Sequence, residues 1–213
     1  QMLAAAGYRL LTLKGTRNWR ADIRSFERVR ASLPAEVNLE FDPNQAWTAK
    51  AALEVDRALA SLGLVCIEQP CAWWDLEAMQ FVTQRSQSPI AADESVLSPA
   101  DAMRVIRMGA ADIINLKLAK SGGISNSIRI AHMAEAAGLE CNIGSKHPLG
   151  IGSAALLHFS AAVPAVGEFV GYGSALERFA GDVINEEICI DGGEAILPAG
   201  PGLGVTLDIA ALQ

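Results

Sequence analysis

The chain is poor in the features that mark scaffolds, membranes and nucleic-acid surfaces. Its four cysteines, at 66, 71, 141 and 189, form no C-x-x-C pair and no other metal-ligand spacing. That argues against a thiolate metal site and for free thiols in a reducing, cytoplasmic compartment. Basic residues are in deficit, with a net charge of -7, so no nucleic-acid partner is expected. The basic cluster Arg17, Arg20, Arg24, Arg28 and Arg30 reads as a solvated helix face. No stretch has the length and purity of a membrane span. The opening QMLAAAG is too short and too uncharged for a signal peptide. It reads instead as the last turns of a helix capped by Gly7, so the chain is expected to begin inside a domain. Low-complexity segments are absent. Against these absences stands an apolar majority: 51% hydrophobic and 19% charged residues, enough for a sizeable core.

Five short apolar runs, YRLLTLK, EVNLEFD, LVCIE, PIAAD and DIINLK, each close on an ionisable residue. Those residues are Lys14, Asp42, Glu68, Asp93 and Lys117, spaced 28, 26, 25 and 24 residues apart by difference of position. A strand, a helix and their two loops take about 25 residues in a repeating β/α unit. Five such units in a row predict a β/α barrel, whose strands all end at one rim where active sites lie. Along that rim the order is base, acid, acid, acid, base. Three carboxylates from neighbouring strands can hold a hard divalent cation, and a lysine on either side can move protons.

Glycines punctuate the repeat. Gly7, Gly63, Gly109 and Gly138 follow helical stretches and precede strands, as helix C-caps do. Ser98-Pro99 supplies an N-cap followed by proline at the first helical position. Strands are expected near 8–13, 36–42, 64–68, 90–93, 112–117, 140–144 and 166–170. Helices are expected near 20–33, 46–62, 75–85, 99–108, 124–137 and 150–163. The strands are apolar almost throughout, as in a parallel sheet covered on both faces. A length of 213 residues is slightly short of the ~250 typical of a complete barrel. One strand–helix unit is expected to be missing at the front. After residue 179 the sequence turns to short strands and turns. Residues 1–178 thus read as a partial barrel, and 179–213 as an extension packing on something other than the barrel wall.

The pieces L-K-G at 13–15, F-D-P-N-Q-A-W at 41–47, I-E-Q-P at 67–70, A-D-E-S at 92–95, N-L-K-L-A-K-S-G-G at 115–123 and P-G-L-G-V at 201–205 stand in one order along the chain. Together they resemble the enolase superfamily, in its mandelate racemase/muconate lactonizing enzyme branch, muconate lactonizing-like subgroup. The resemblance implies an α/β fold, a (β/α)8-type TIM barrel in its (β/α)7β variant, here lacking the first strand and the N-terminal capping domain, on which 179–213 would pack. It implies Mg²⁺ held by Asp42, Glu68 and Asp93, with Asn44 and Glu94 supporting from nearby. Lys14 and Lys117 resemble the family's paired lysines on opposite faces of the substrate. A homo-oligomeric full-length form, a small carboxylate substrate and a cytoplasmic location are also expected.

One position departs from the family pattern. The strand of Lys14 often carries K-x-K, and here Thr12 stands where the second lysine would be, on the same face as Lys14. Lys120, three residues past Lys117, reads as a structural or loop lysine. His147, in G-S-K-H-P-L-G, is a candidate supporting acid or substrate contact. Glu168 closes the last strand and could face the site. His132 and His158 fall on helices and read as structural, and Trp73 and Trp74 as loop packing.

The activity this implies is Mg²⁺-assisted removal of the proton α to a carboxylate, through an enediolate, by a racemase or epimerase of an amino acid or related carboxylate. Enolase-superfamily sites with a Lys or His base beside Mg²⁺ are themselves a standard example of this pattern. The same pair of lysines allows a dehydratase acting on a hydroxy acid or hydroxylated cyclic amino acid, or a cycloisomerase. A barrel that binds a metal or ligand without turnover is the non-enzymatic alternative.

Overall fold

The structure, a computed structural model, describes residues 2–171 and 179–212, with the side chains of 168–170 outside the described set. A short helix α1 (Met2–Ala5) leads into β1 (Leu10–Lys14). Strands and helices then alternate: α2 (Trp19–Ala31), β2 (Asn38–Asp42), α3 (Ala49–Leu59), β3 (Leu64–Glu68), α4 (Leu76–Thr83), β4 (Ile90–Ala92), α5 (Pro99–Met108), β5 (Ile113–Leu116), α6 (Ile124–Ala136), β6 (Glu140–Ile143), α7 (Gly150–Ala162) and β7 (Val166–Val170). The seven strands form a single sheet in chain order, every neighbouring pair parallel, with β1 and β7 at its ends. This is the α/β barrel architecture expected from the repeat. The differences are of a few residues at element boundaries. The helix expected from 46 begins at Ala49, because Thr48 caps it by accepting the Ala51 amide at 3.2 Å.

Sequence periodicity translates into packing through the helix faces. Helices α2, α3, α4 and α5 each start on a polar N-cap, Asn18, Thr48, Asp75 and Ser98 respectively. Their apolar stripes then meet the outer face of the sheet. Phe26 of α2 stacks on Phe41 of β2 with ring centroids 5.9 Å apart, and Phe41 meets Trp47 at 5.3 Å. The Trp47 indole donates to the Thr16 carbonyl at 2.8 Å, so this aromatic group fastens the loops after β1 and β2 together. Helices end before strands on left-handed glycines, Gly63 at φ +82° and Gly109 at +60°, where a side chain would be strained. Arg30, grouped above with a solvated face, instead turns its guanidinium onto the Val37 and Leu33 carbonyls at the end of α2. The other four arginines of that cluster are exposed.

The C-terminal segment carries a small antiparallel hairpin, β8 (Ile190–Asp191) with β9 (Glu194–Ala195). Its described contacts return to the barrel elements. Asp182 accepts the Gly150 amide at 2.7 Å, capping α7, and Ile184 fills the space beside Gly150. His158 of α7 meets the Leu203 carbonyl at 3.1 Å, and Gly193 packs against the Gly7 backbone. These contacts tie the segment to α7 and to the turn after α1. Ile196, Leu197, Leu207, Ile209 and Leu212 remain exposed along the same segment. All four cysteines are free, and the three on the barrel are buried. Burial pushes the Cys71 and Cys141 thiols up to about 12, as befits inert packing groups. No helix among the described residues is long and apolar enough to cross a membrane.

Candidate active site

A parallel barrel delivers the last residue of each strand to one rim. Here β1 ends at Lys14, β2 at Asp42 and β3 at Glu68, while Asp93 and Lys117 directly follow β4 and β5. Register sets Lys14 beside Asp42 and Glu68 beside Ala91. All five residues expected from the repeat thus come together. The three carboxylates and Lys117 are buried.

Two ion-pair groups divide the site. On the β1 side the Lys14 ammonium bonds the Asp42 carboxylate; 64% of the Lys14 side chain is exposed and none of that of Asp42. Asn44 supports Asp42 as expected, donating its amide to Oδ1 at 2.9 Å and its Nδ2 to Oδ2 at 3.2 Å. The same Nδ2 reaches Glu94 Oε1 at 3.3 Å, so Glu94 joins this group. On the β5 side the Lys117 ammonium bonds Asp93 Oδ2 and lies 3.3 Å from Glu68 Oε1.

Lys120 joins the β5-side group. Its side chain is only 3% exposed, and its Nζ donates to Asp93 Oδ1 at 2.7 Å, the Asp93 carbonyl at 2.6 Å and the Asn115 carbonyl at 2.9 Å. All three ammonium protons are committed, so of the two readings, structural or loop lysine, Lys120 takes the first, as a fixed counter-charge to Asp93. The turn after β5 produces this: the Lys120 and Ser121 amides bond back to the Lys117 carbonyl, which curls Lys120 over the strand end.

Electrostatics follow from the burial. Desolvation, reinforced by Asp42, pushes Glu68 up to about 8 despite the opposing pull of Lys117. Asp93 is held below the usual carboxylate range: burial alone would raise it, but Lys120 and Lys117 outweigh that. For Lys117 burial pulls downward, and the Glu68 and Asp93 carboxylates more than reverse it. One consequence is measurable without any added cation. The fold binds a proton at Glu68 that the unfolded chain has released above its ordinary range near 4.5. Stability should therefore fall, by on the order of a few kcal/mol, as pH rises from about 4.5 through about 8. Urea unfolding across that range should show the decline in the parent protein and a flatter profile in Glu68→Gln. Equal slopes in the two proteins would count against the assignment.

Several site residues escaped the sequence reading. Asn115 lies two positions before Lys117, on the same face of the strand, and donates to Glu68 Oε1. Glu40, likewise two before Asp42, accepts the Thr12 hydroxyl, so the position without a second lysine is occupied by a hydroxyl–carboxyl pair. Burial, the largest influence, raises the Glu40 pKa even though Thr12 favours the charged form. Gly144, at the end of β6, makes room for the site: a Cβ there would lie 2.4 Å from Lys117 Cε and 2.6 Å from Asn115 Oδ1. His147 sits half-buried in the loop between β6 and α7, at φ +50°. Glu168 belongs to β7, and its side chain is outside the described residues. Trp73 and Trp74 stand on the rim loop after β3, 50% and 66% exposed.

The donor set suits a hard divalent cation in its chemistry. Five carboxyl groups, Glu40, Asp42, Glu68, Asp93 and Glu94, share the site with three ammonium groups, Lys14, Lys117 and Lys120, so hard oxygen donors outnumber the cations. Glu94 Oε2 is buried beside Asn44 with no hydrogen-bond partner among the described residues. As placed, no three acidic, His or Cys side chains among the described residues converge closely enough to chelate an ion. The ammonium groups of Lys14 and Lys117 bond the carboxylates instead.

Comparison with known proteins agrees with this fold. The family model described as enolase C-terminal domain-like matches residues 1–211. An L-Ala-D/L-Glu epimerase from Bacillus subtilis is 37% identical over 202 residues, covering 93% of this chain and 55% of the relative. Muconate cycloisomerase 1 from Rhodococcus opacus is 34% identical over 189 residues, covering 87% and 50%. Among solved structures, the dipeptide epimerase from Enterococcus faecalis V583, complexed with Mg and the dipeptide L-Leu-L-Tyr, superimposes with a TM-score of 0.86 at 30% identity, covering 95% of this chain and 57% of that one. The chain spans about half the length of the curated relatives it matches. With the fold, the order of rim residues and these matches in agreement, the chain belongs to the enolase superfamily, as a C-terminal barrel domain of the mandelate racemase/muconate lactonizing enzyme family.

Proposed function

We propose that this domain serves an isomerase that removes and returns the proton α to a substrate carboxylate, most simply as a racemase or epimerase. The observation that carries the reading is geometric. Two lysines, at the ends of β1 and β5, flank three buried carboxylates at the intervening strand ends. Asp42, Glu68 and Asp93 would hold Mg²⁺, with Asn44 orienting Asp42 and Lys120 fixing Asp93. Bound there, the cation supplies charge to offset the negative charge that develops on the carboxylate as the proton leaves. Lys14 and Lys117 then act from opposite faces, one taking the proton in its neutral form and the other delivering one. Asn115 and Gly144 keep Lys117 in place, the first through Glu68 and the second by leaving its methylene chain unobstructed. Residues 179–213, with their exposed apolar side chains, would carry a capping domain that closes the site. The relatives' names describe dipeptides and muconate, which are carboxylates; that substrate class is the one we assign.

Incubating the full-length protein with Mg²⁺ and a panel of dipeptides, amino acids and sugar acids in D₂O tests the reading. Deuterium should appear at the α-carbon of at least one class, whatever product finally forms. No incorporation from any carboxylate, in a folded and Mg²⁺-binding protein, would leave the non-catalytic binding barrel as the better description.

A further inference from the structure

We propose that Gln69 is a positioning residue that sets the main chain at Asp93 and ties it to the rim loop bearing Trp73. The inference rests on the reading of Asp93 as a site carboxylate. Gln69 follows Glu68 directly, is completely buried, and adopts φ +38°, an uncommon backbone for a side chain of its size. Its amide uses its whole hydrogen-bonding capacity. Oε1 accepts the Asp93 amide at 2.9 Å and the Ser95 amide at 3.1 Å. Nε2 donates to the Cys71 carbonyl at 3.1 Å and to Ser95 Oγ at 2.8 Å.

From there the connections close a ring. Ser95 Oγ donates to the Trp73 carbonyl at 2.9 Å, the Trp73 amide donates to Gln45 Oε1 at 3.0 Å, and the Gln45 amide returns to the Gln69 carbonyl at 2.8 Å. The loops after β2, β3 and β4 are thereby joined through one side chain. Neither glutamate nor methionine reproduces this. Glutamate keeps the accepting oxygen but places an acceptor against the Cys71 carbonyl, and methionine leaves two buried N–H groups orphaned. Fully satisfied buried networks of this kind hold a unique geometry, and here the geometry held is that of Asp93 and of the Trp73 backbone.

The test is residue-resolved amide hydrogen exchange in the full-length protein without added cation, joined to Mg²⁺ titration by calorimetry. In Gln69→Met the Asp93 and Ser95 amides should exchange at least about tenfold faster than in the parent, while core amides such as Ile114 are unchanged. Mg²⁺ affinity should fall by roughly 10-fold or more, the range seen when an orienting partner is lost. In Gln69→Glu protection at Asp93 and Ser95 should be retained, while the emission of Trp73, read against a Trp73→Phe control, shifts. If Gln69→Met does not fold, Gln69→Glu and Ser95→Ala carry the test: each should free the Trp73 loop and leave the Asp93 amide protected. Parent-like exchange at Asp93 in Gln69→Met, or equal loss in Gln69→Glu, would overturn the proposal. A parent that binds no Mg²⁺ would sink the functional reading but leave the exchange result standing.

Discussion

Alanine in place of Asp42, Glu68 or Asp93 is expected to abolish Mg²⁺ binding at working concentrations and to leave the barrel folded. Loss of an outer partner of a metal ligand typically costs 10–100-fold, so loss of a ligand itself should exceed about 100-fold. For Glu68 the fold should survive because the change removes a carboxyl whose burial is unfavourable, whereas Asp93→Ala leaves the buried Lys117 and Lys120 ammonium groups without their partner and should lower stability by roughly 3–5 kcal/mol. Glu68→Ala is the most informative of the three, since burial raises Glu68 to about 8 against the pull of Lys117, the lysine paired with it. Calorimetry and thermal melts on the three variants decide the matter. Unchanged Mg²⁺ affinity in two of them would remove the ligand assignment.

The second large effect concerns the lysines. In a two-base racemase each lysine serves one enantiomer. Lys14→Ala should then keep α-proton exchange from one enantiomer and lose it from the other, with Lys117→Ala complementary. Each loss should be about 10²–10⁴-fold, the range for removing a general acid or base. In a dehydratase working through one base, a single variant should lose all exchange, while the other keeps exchange and loses elimination. Exchange in D₂O from both enantiomers separates the cases. Parental rates in both variants would release both lysines from the role and make His147 the next residue to test. The two lysines are not equivalent in setting: Lys117 is enclosed between two carboxylates, whereas Lys14 lies on the end strand with most of its side chain in water.

How much of this was legible in the sequence depends on what each residue advertises. The rim carboxylates and Lys14 and Lys117 announce themselves by charge at the end of an apolar run, and the interval between them gives the barrel. Lys120 reads only as a structural or loop lysine because it lies beyond the strand, and its partner Asp93 emerges only from the turn that bonds its amide back to Lys117. Asn115 and Glu40 were within reach, since strand alternation puts each beside a residue already chosen. Gln69 and Gly144 gave no such signal. One is neutral and acts through hydrogen bonds to distant backbone, and the other acts by having no side chain. The Thr12 position was recognised as a departure, but its pairing with Glu40 requires knowing that β1 and β2 are neighbours in register, Thr12 opposite Glu40.

The left-handed positions that carry side chains, Asn44, Gln45, Gln69 and His147, all lie in turns after strands, whereas the helix-to-strand turns at Gly63 and Gly109 carry glycine. Strained residues of the first kind cost about 1–3 kcal/mol each and persist only where their surroundings hold them. The glycines have open space where a Cβ would be. The two ends of the sheet should therefore differ in what a protein engineer can do to them. A peptide tag or a foreign loop spliced in at Gly63 or Gly109 should leave turnover untouched, whereas the same insert beside Asn44 or Gln69 would release the strained turn and scatter the groups it aligns.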